Sequence, residues 1–448
     1  MRQTLAFSIF PHQTMSKQRY VRLVKEGGWI VVGQIVAVAG ALVLVRVLTE
    51  YLTPAEYGQL ALGLTVAGLI NQVVMGGVAN GICRFYSIAV EKNSLHDYLN
   101  ASKGLMGWAT LVVVVIAVLL MAIMTGLGQR EWLSLAAAAL VYSVLSGYNN
   151  TLSGIQNAAR QRQIVALHGA MDAWLKIALA MGVMLWFGHR SMAVVLGYAL
   201  SALGVTGSQF YFLRRLLNRQ AHSSNSLENG NWSMQIWTFS WPFSTWGVFT
   251  WLQQVSDRWA LEYFAGTADV GRYAVLFQLG YAPISIVSGL MMSFLAPILF
   301  QRSGDASCPN RNASVYGLTW RITGATLSIT LLAFIVTIFF HKTLFGLLVA
   351  FPYQNLSYLL PFVVLAGGLF AAGQMLSIKL MADMQPQRTI AVKILTALLG
   401  VAFNVLGAAY FGLVGVVAAL LAFSVVYLAW MVRLTARKVS TSLALKGL

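Results

Sequence analysis

Apolar runs of about 20 residues, the length that crosses a bilayer core as a helix, recur along the whole chain with short polar breaks between them. Twelve runs can be read, at 27–49, 57–80, 105–127, 132–152, 164–187, 191–213, 236–257, 272–299, 322–340, 357–380, 390–411 and 412–433. The breaks between the first and second, fifth and sixth, and eleventh and twelfth are so short that each pair predicts a helical hairpin. Strands are excluded by the periodicity. A membrane barrel alternates polar and apolar residues at every second position, whereas Leu111–Met121 (LVVVVIAVLLM) has no polar residue at any phase. Backbone groups in lipid must pair within their own segment, so runs of this kind predict helices.

Composition narrows the class further. The 448 residues are 58% hydrophobic and only 10% charged, against roughly 25% charged in a soluble domain. A soluble multidomain protein, a disordered chain and a secreted scaffold are therefore set aside. Cys83 and Cys308 make no disulfide framework, and no Cys/His cluster has metal spacing. No cofactor is expected. Met1–Phe10 is too short and too poorly patterned for a signal peptide. Met15 opens MSKQRYVRLVKEGG, which reads as a natural start before the first span, and no function is assigned to residues 1–14.

The net charge of +17 has a topological origin. With the N-terminus in the cytoplasm and the spans alternating, 23 of the 30 Lys/Arg fall in cytoplasmic segments and six outside, with Lys176 inside a span. Acidic residues divide evenly between the two sides, with Asp172 inside a span. This is the positive-inside pattern, and it makes nucleic-acid binding the weaker explanation of the charge. Both termini are placed in the cytoplasm of a multi-pass protein.

The chain also resembles itself. Arg46-Val-Leu-Thr-Glu-Tyr-Leu-Thr-Pro-Ala-Glu56-Tyr-Gly58-Gln-Leu-Ala61 follows the first span, and Arg258-Trp-Ala-Leu-Glu262-Tyr-Phe-Ala-Gly-Thr-Ala-Asp269-Val-Gly271-Arg-Tyr-Ala274 follows the seventh. With one inserted residue they share Arg, Glu, Tyr, Ala, an acidic residue, Gly and Ala in order. Leu152-Ser153, Gln161, Gln163 and Phe187-Gly188 recur as Leu376-Ser377, Gln385, Gln387 and Phe411-Gly412, at an offset of 224. Together these predict duplication of a six-span unit. Six is even, so the halves are parallel repeats about an axis along the membrane normal, the plan of a transporter that rocks its halves about a cavity. The predicted fold is all-α and integral to the membrane: twelve transmembrane helices in two parallel-repeat six-helix bundles around a central cavity. Its parts are a cytoplasmic N-terminal segment (1–26), the first bundle (27–216), a polar cytoplasmic linker (217–235), the second bundle (236–433) and a cytoplasmic tail (434–448).

The pattern R-x-L-T-x-x-L-x-P-x-E-Y-G from Arg46 to Gly58 resembles the signature of prokaryotic polysaccharide transporters. These are the O-antigen and exopolysaccharide flippases of the multidrug/oligosaccharidyl-lipid/polysaccharide exporter superfamily. Phe239-Ser-Trp-Pro242, Asp257-Arg258, Gly266-x-x-x-Val270-Gly271-x-Tyr273-Ala274 and the stretch from Asn404 through Gly412 to Gly415 also fit. The resemblance covers nearly the whole chain. It implies translocation of an undecaprenyl-pyrophosphate-linked oligosaccharide across a bacterial inner membrane during lipopolysaccharide O-antigen or exopolysaccharide biosynthesis. The implied partners are that lipid-linked oligosaccharide, membrane lipids, H+ or Na+ as coupling ion, and the polymerase and glycosyltransferases of the same pathway.

Candidate residues follow from cost. An ion in mid-membrane costs about 2.5–3.5 kcal/mol on insertion scales and marks function by default. In the fifth span His168, Asp172 and Lys176 stand at i, i+4 and i+8, forming one polar line. Two readings stay open. In one, Lys176 attracts a pyrophosphate or acidic sugar while Asp172 and His168 handle a coupling ion; in the other, the three are a structural ion pair with its neighbour. Arg46 and Arg258 suggest an anion clamp at the outer ends of their helices, against local pairing with Glu50/Glu56 and Glu262/Asp269, which the spacing favours. Arg84 and Arg321 are candidates for a cationic vestibule rim, against ordinary positive-inside charge. The seventh span carries Trp232, Trp237, Trp241, Trp246, Trp251 and Trp259. Trp232 and Trp259 suit interfacial anchoring; Trp237, Trp241 and Trp251 share a helical face and are candidates to stack on sugar rings or to pack against neighbours. Pro242 and Pro283 suggest bends. Gln34, Asn71, Gln72, Gln253, Gln278 and Asn404 are intramembrane amides that hydrogen-bond either glycan hydroxyls or other helices.

No G-x-x-x-x-G-K-[ST] loop occurs, so the chain is expected not to hydrolyse ATP and not to be an enzyme. Two alternatives to the flippase remain. A cation-coupled drug exporter of the same superfamily requires acidic cavity residues, and only Asp172 is deep. A membrane polysaccharide polymerase or ligase requires a large outer loop. The longest outer break, 341–356, holds His341 and Lys342 but no carboxylate.

Overall fold

A computed structural model describes residues 17–220, 231–303, 309–382 and 387–436. Met15, the linker residues 221–230, Gln385 and the tail from 437 lie outside the described residues. Every regular element among the described residues is helical. In chain order they are α1 (Lys17–Tyr51), α2 (Pro54–Ile70), a π-helical turn (Asn71–Met75), α3 (Gly76–Glu91), α4 (Leu95–Gly126), α5 (Leu133–Ala158), α6 (Arg162–Phe187) and α7 (Ser191–Gln220). There follow α8 (Trp232–Phe264), α9 (Thr267–Ser303), α10 (Pro309–Leu348), α11 (Leu360–Ala382) and α12 (Gln387–Ala436). Nine stretches among the described residues are long and apolar enough to cross a membrane.

Where this departs from the predicted runs, the sequence explains why. α5 and α8 fall outside the nine because they carry polar positions such as Asn149, Asn150, Gln253 and Gln254. They lie among other helices, where an apolar face all round is not required. The second run is extended: α2, the π turn and α3 form one rod. Asn71, at the start of the turn, donates to Ala67 O of α2 at 3.2 Å and to Ser146 Oγ at 2.8 Å. The outer break at 341–356 is shorter than predicted. α10 runs on to Leu348 and a 3-10 segment, Phe351–Leu359, covers the rest.

The two halves pack alike. α1 lies along α6 as α8 lies along α12; the α2–α3 rod meets α5 as α9 meets α11; α5 meets α7 as α11 meets α12. α12 is two helices joined at Gly412, whose φ of 55° and ψ of −135° are not helical. Gly188, 224 residues earlier, breaks α6 from α7 at φ 84°. Both angles lie where a β-carbon is penalised, so the echoed Phe-Gly pair marks the same turn in each half.

The halves meet on a line of close backbone approach. A β-carbon on Gly58 would fall 1.9 Å from Thr267 O, and one on Gly271 would fall 1.9 Å from Pro54 O. Pro54 and Thr267 open α2 and α9, and each glycine stands four residues later, so the contact is reciprocal, as a pseudo-twofold axis between the helices requires. Around this seam Leu48, Leu60, Tyr57, Leu261, Val270 and Tyr273 form the largest buried apolar cluster. Two bonds tie the 3-10 segment across it: Ala350 N donates to Thr49 Oγ1 at 3.2 Å, and Tyr353 OH donates to Leu52 O at 2.8 Å. At the far end of the rod, Gly77 and Gly81 face Ser244 and Ser240 of α8 with no room for a β-carbon. Small residues four apart on both partners let helices approach without a hydrophobic driving force.

Overpacking of this kind costs about 1–3 kcal/mol. Gly58→Ala and Gly271→Ala are each expected to lower the melting temperature of the detergent-purified chain. Gly104→Ala, where nothing lies within 4 Å, is expected to leave it unchanged or slightly raised.

Candidate functional site

Two cavities flank the seam. The N-half cavity, of about 560 Å³, lies between α1, α2, α5, α6, α7, α8 and α9. The C-half cavity, of about 510 Å³, lies between α8, α9, α11 and α12. Gln254 and Arg258 of α8 belong to the walls of both.

Arg258 is six residues from the end of α8, about 9 Å at 1.5 Å per residue, a position that predicts an interfacial side chain paired with Glu262. The structure turns it inward instead. Its guanidinium lies 5.1 Å from the centre of the Phe277 ring, and Nε has no hydrogen-bond partner. Among the described residues it makes no ion pair, while Glu262 accepts from Thr267 Oγ1 at 2.8 Å. The neighbouring Asp257 is buried and committed: Tyr273 OH donates to Oδ2 at 2.6 Å and the Arg258 amide to Oδ1 at 2.7 Å. A guanidinium on a cavity wall, with no ion pair among the described residues, has the chemistry to accept an anion.

Asp172 and Lys176 project into the N-half cavity. Lys176 Nζ is 2.6 Å from Asp172 Oδ2, each side chain being 20% exposed. Ser201 Oγ donates to Asp172 Oδ1 at 3.1 Å, and Tyr142 and Tyr198 hold the ammonium with ring centres 5.6 and 5.8 Å away. The third member of the line departs from it. His168 is buried against α7, with Nδ1 2.8 Å from Ile164 O and Nε2 3.0 Å from Ser208 Oγ, and it is absent from both cavity walls.

The other candidates divide by depth. Arg46 pairs with Glu50 at 3.1 Å and is 41% exposed, and Arg272 pairs with Asp269 at 2.7 Å, so local pairing holds for this part of the motif. Arg84 and Arg321 are exposed and line neither cavity. Trp241 is 52% exposed and Trp237 packs edge-on against Trp108, whereas Trp251 reaches the N-half cavity and donates to Thr65 O at 2.8 Å. Trp232 is buried edge-on between Phe85 and Tyr98 with no hydrogen-bond partner for its Nε1, and Trp259 donates to Thr65 Oγ1 at 3.0 Å. The side chain of Trp246 lies outside the described residues. The intramembrane amides are of both kinds. Gln72 donates to Thr250 and Asn404 to Ser256, each at 2.8 Å, while Gln253 and Gln278 line cavities.

Residues not singled out from the sequence complete the walls: Tyr142, Tyr198, Tyr281, Phe370, Gln374 and Tyr427. A tyrosine or phenylalanine in an apolar run carries no sign of the face it presents. The duplication held the available signal, since aligning the halves exposes where their equivalent positions differ. Among the described residues no three His, Cys, Asp or Glu side chains gather to hold a metal ion.

A family model described as "Polysaccharide biosynthesis protein" matches residues 23–303. No curated protein matches the chain by sequence. Among solved structures it is similar to the lipid II flippase MurJ in an inward closed conformation, with a TM-score of 0.67 at 10% identity over 92% of this chain and 87% of that one. It is also similar to an outward-facing multidrug resistance MATE family transporter of the MOP superfamily, at 0.60 and 13% over 92% and 95%. A third is a MOP superfamily transporter from Pyrococcus furiosus Vc1, at 0.56 and 16% over 93% and 95%. At these identities the likenesses establish the fold.

Removing one partner of a buried ion pair leaves the other charge uncompensated, at a cost of about 3–5 kcal/mol. Lys176→Met is therefore expected to lower the melting temperature markedly. Asp172→Asn added to it is expected to recover part of the loss, as a double-mutant cycle followed by thermal unfolding would register.

Proposed function

We propose that this chain, which belongs to the polysaccharide biosynthesis protein family, is a flippase for undecaprenyl-pyrophosphate-linked oligosaccharides that feed surface polysaccharide assembly. It has the fold of the MATE and MurJ transporters and several membrane-spanning helices. A transporter of this plan works by alternating access, parting its halves first on one side of a central site and then on the other.

The observation that carries the substrate reading is Arg258. Among the described residues four acidic or basic side chains reach the cavity walls: Asp172, Lys176, Asp257 and Arg258. Both carboxylates are already committed, Asp172 to Lys176 and Asp257 to Tyr273. Lys176 is held by Asp172, which leaves the guanidinium as the cation on these walls without an ion pair among the described residues. A pyrophosphate supplies the planar oxygen edges that a guanidinium fork matches. Lys176, held by aromatic rings and one carboxylate, is placed to contribute as the group moves through. A drug exporter for organic cations needs a free carboxylate in the pathway, so this alternative is disfavoured.

Sidedness follows from the charge pattern. With the Lys/Arg-rich segments in the cytoplasm, the glycine seam and the Phe351–Leu359 segment face outward. The closed seam then corresponds to a state shut toward the outside, with the cavities beneath it. Twelve crossings, cytoplasmic termini and an inner-membrane location complete this reading. Coupling to H+ or Na+ is the energy source it requires, with Asp172 as the carboxylate of the N-half cavity.

The test is translocation of a fluorescent undecaprenyl-pyrophosphoryl oligosaccharide in proteoliposomes with protein levels matched. Losing a charge-assisted hydrogen bond costs about 1.5–3 kcal/mol, so Arg258→Gln is expected to reduce flux by about ten-fold or more. Arg46→Gln, outside the cavities, is expected to stay near wild type. Undiminished flux in Arg258→Gln, or transport of an organic cation in place of the lipid, would overturn the assignment.

A further inference from the structure

The two halves are repeats, yet their cavities are chemically unlike, and the difference is systematic. At the offset of 224 set by Gly188 and Gly412, Asp172 and Lys176 correspond to Thr396 and Gly400, and Ala199 and Leu203 to Phe423 and Tyr427. At the offset of 213 set by Gly58 and Gly271, Leu64 and Gly68 correspond to Phe277 and Tyr281. At these positions the first half thus has an ion pair where the second has neutral residues, and the second has four aromatic rings where the first has aliphatic residues or glycine.

Those rings form a continuous wall. Phe277 and Tyr281 stack at 4.6 Å, Phe370 lies 6.2 Å from Tyr281 and 4.9 Å from Tyr427, and Phe423 stacks with Tyr427 at 6.2 Å. Gln253, Gln254 and Gln374 complete the lining, and among the described residues none of the three side-chain amides is bonded to a neighbour. Tyr427 is 2% exposed, and its hydroxyl has no hydrogen-bond partner at the cavity wall. A buried hydroxyl without a partner carries a desolvation cost that a ligand group can relieve. Arg258 closes the side of the chamber shared with the N-half cavity.

We infer that the C-half cavity is a sugar subsite, which takes a neutral hexopyranose while Arg258 holds the phosphate to which that sugar is linked. This rests on the flippase reading and adds a location for the glycan. A pyranose offers apolar C–H faces to aromatic rings and hydroxyl or acetamido groups to amides and a phenol. An apolar aromatic lining with a few convergent polar groups is the general build of a small-molecule site, and about 510 Å³ is within the usual range of about 300–1,000 Å³. A charged sugar is disfavoured because Arg258 is the uncommitted ion on this wall and the phosphate claims it. In the N-half cavity Tyr142 and Tyr198 are engaged with the Lys176 ammonium and Gln72 with Thr250 Oγ1.

The experiment compares two probes on the full-length purified chain: undecaprenyl pyrophosphate, and undecaprenyl-pyrophosphoryl-N-acetylglucosamine, each titrated by tryptophan fluorescence. The wild type is expected to bind the glycosylated probe about ten-fold more tightly. Tyr281→Leu and Gln374→Leu are each expected to abolish that preference while leaving the affinity for the sugarless probe within about two-fold. Tyr427→Phe, which removes only the hydroxyl, is expected to weaken the glycosylated probe alone. Equal affinity of the wild type for both probes, or variants that lose both affinities in parallel, would overturn the subsite and leave the flippase reading standing. Failure of the wild type to bind the sugarless probe would instead overturn the anion site at Arg258, and the subsite with it.

Discussion

The close approach of two helix starts governs this molecule. Where α2 and α9 cross, Gly58 lies against Thr267 O and Gly271 against Pro54 O, with no room for a side chain on either. In hydrocarbon, association cannot rely on burying apolar surface, because lipid is as apolar as leucine; it relies on how near the backbones come and on the bonds that nearness allows. The seam supplies both. Thr49, Leu52, Ala350 and Tyr353 bond across it, and Tyr57 and Tyr353 meet edge-on at 5.9 Å. Below it the helices have space to diverge, and the two cavities occupy that space.

Reciprocal contact at the seam also determines what the halves share. α8 passes along the interface and contributes Gln254 and Arg258 to both cavity walls. Its cationic member is therefore placed where a ligand spanning the halves would carry its charge, with a chamber on either side. Duplication gave two similar scaffolds, and divergence gave them different linings: an ion pair on one side, and on the other four rings at positions that are aliphatic or glycine in the first half. A substrate made of an anionic headgroup between a neutral glycan and a long apolar tail has the same threefold character.

Much of this was legible in the sequence, for physical reasons that also mark its limits. Helices were legible because lipid leaves the backbone no other solution, and duplication was legible because a left-handed turn at Gly188 and Gly412 and a tight crossing at Gly58 and Gly271 each demand glycine at equivalent positions. Lys176 and Asp172 stood out because intramembrane charge is expensive, and the structure places both on a cavity wall. His168 was grouped with them by spacing alone, yet it turns to Ser208. Spacing gives the side of a helix, and a histidine able to bond its own i−4 carbonyl is free to leave that line. Arg258 shows the reverse. Its position near a helix end predicted interfacial pairing like that of Arg46, but Glu262 is bonded to Thr267, and the long side chain reaches back over Phe277. Among the described residues Trp251, and not Trp241, is the span-seven tryptophan on a cavity wall, a distinction that requires knowing which neighbours cover each part of α8.

The account turns on whether the guanidinium between the two chambers receives the anionic group. The most direct measurement is a cryo-electron microscopy structure of the purified chain with undecaprenyl pyrophosphate bound. Phosphate density within hydrogen-bond reach of Arg258 is the predicted result. Phosphate density at Arg84 or Arg321, with Arg258 still lying over Phe277, would contradict it.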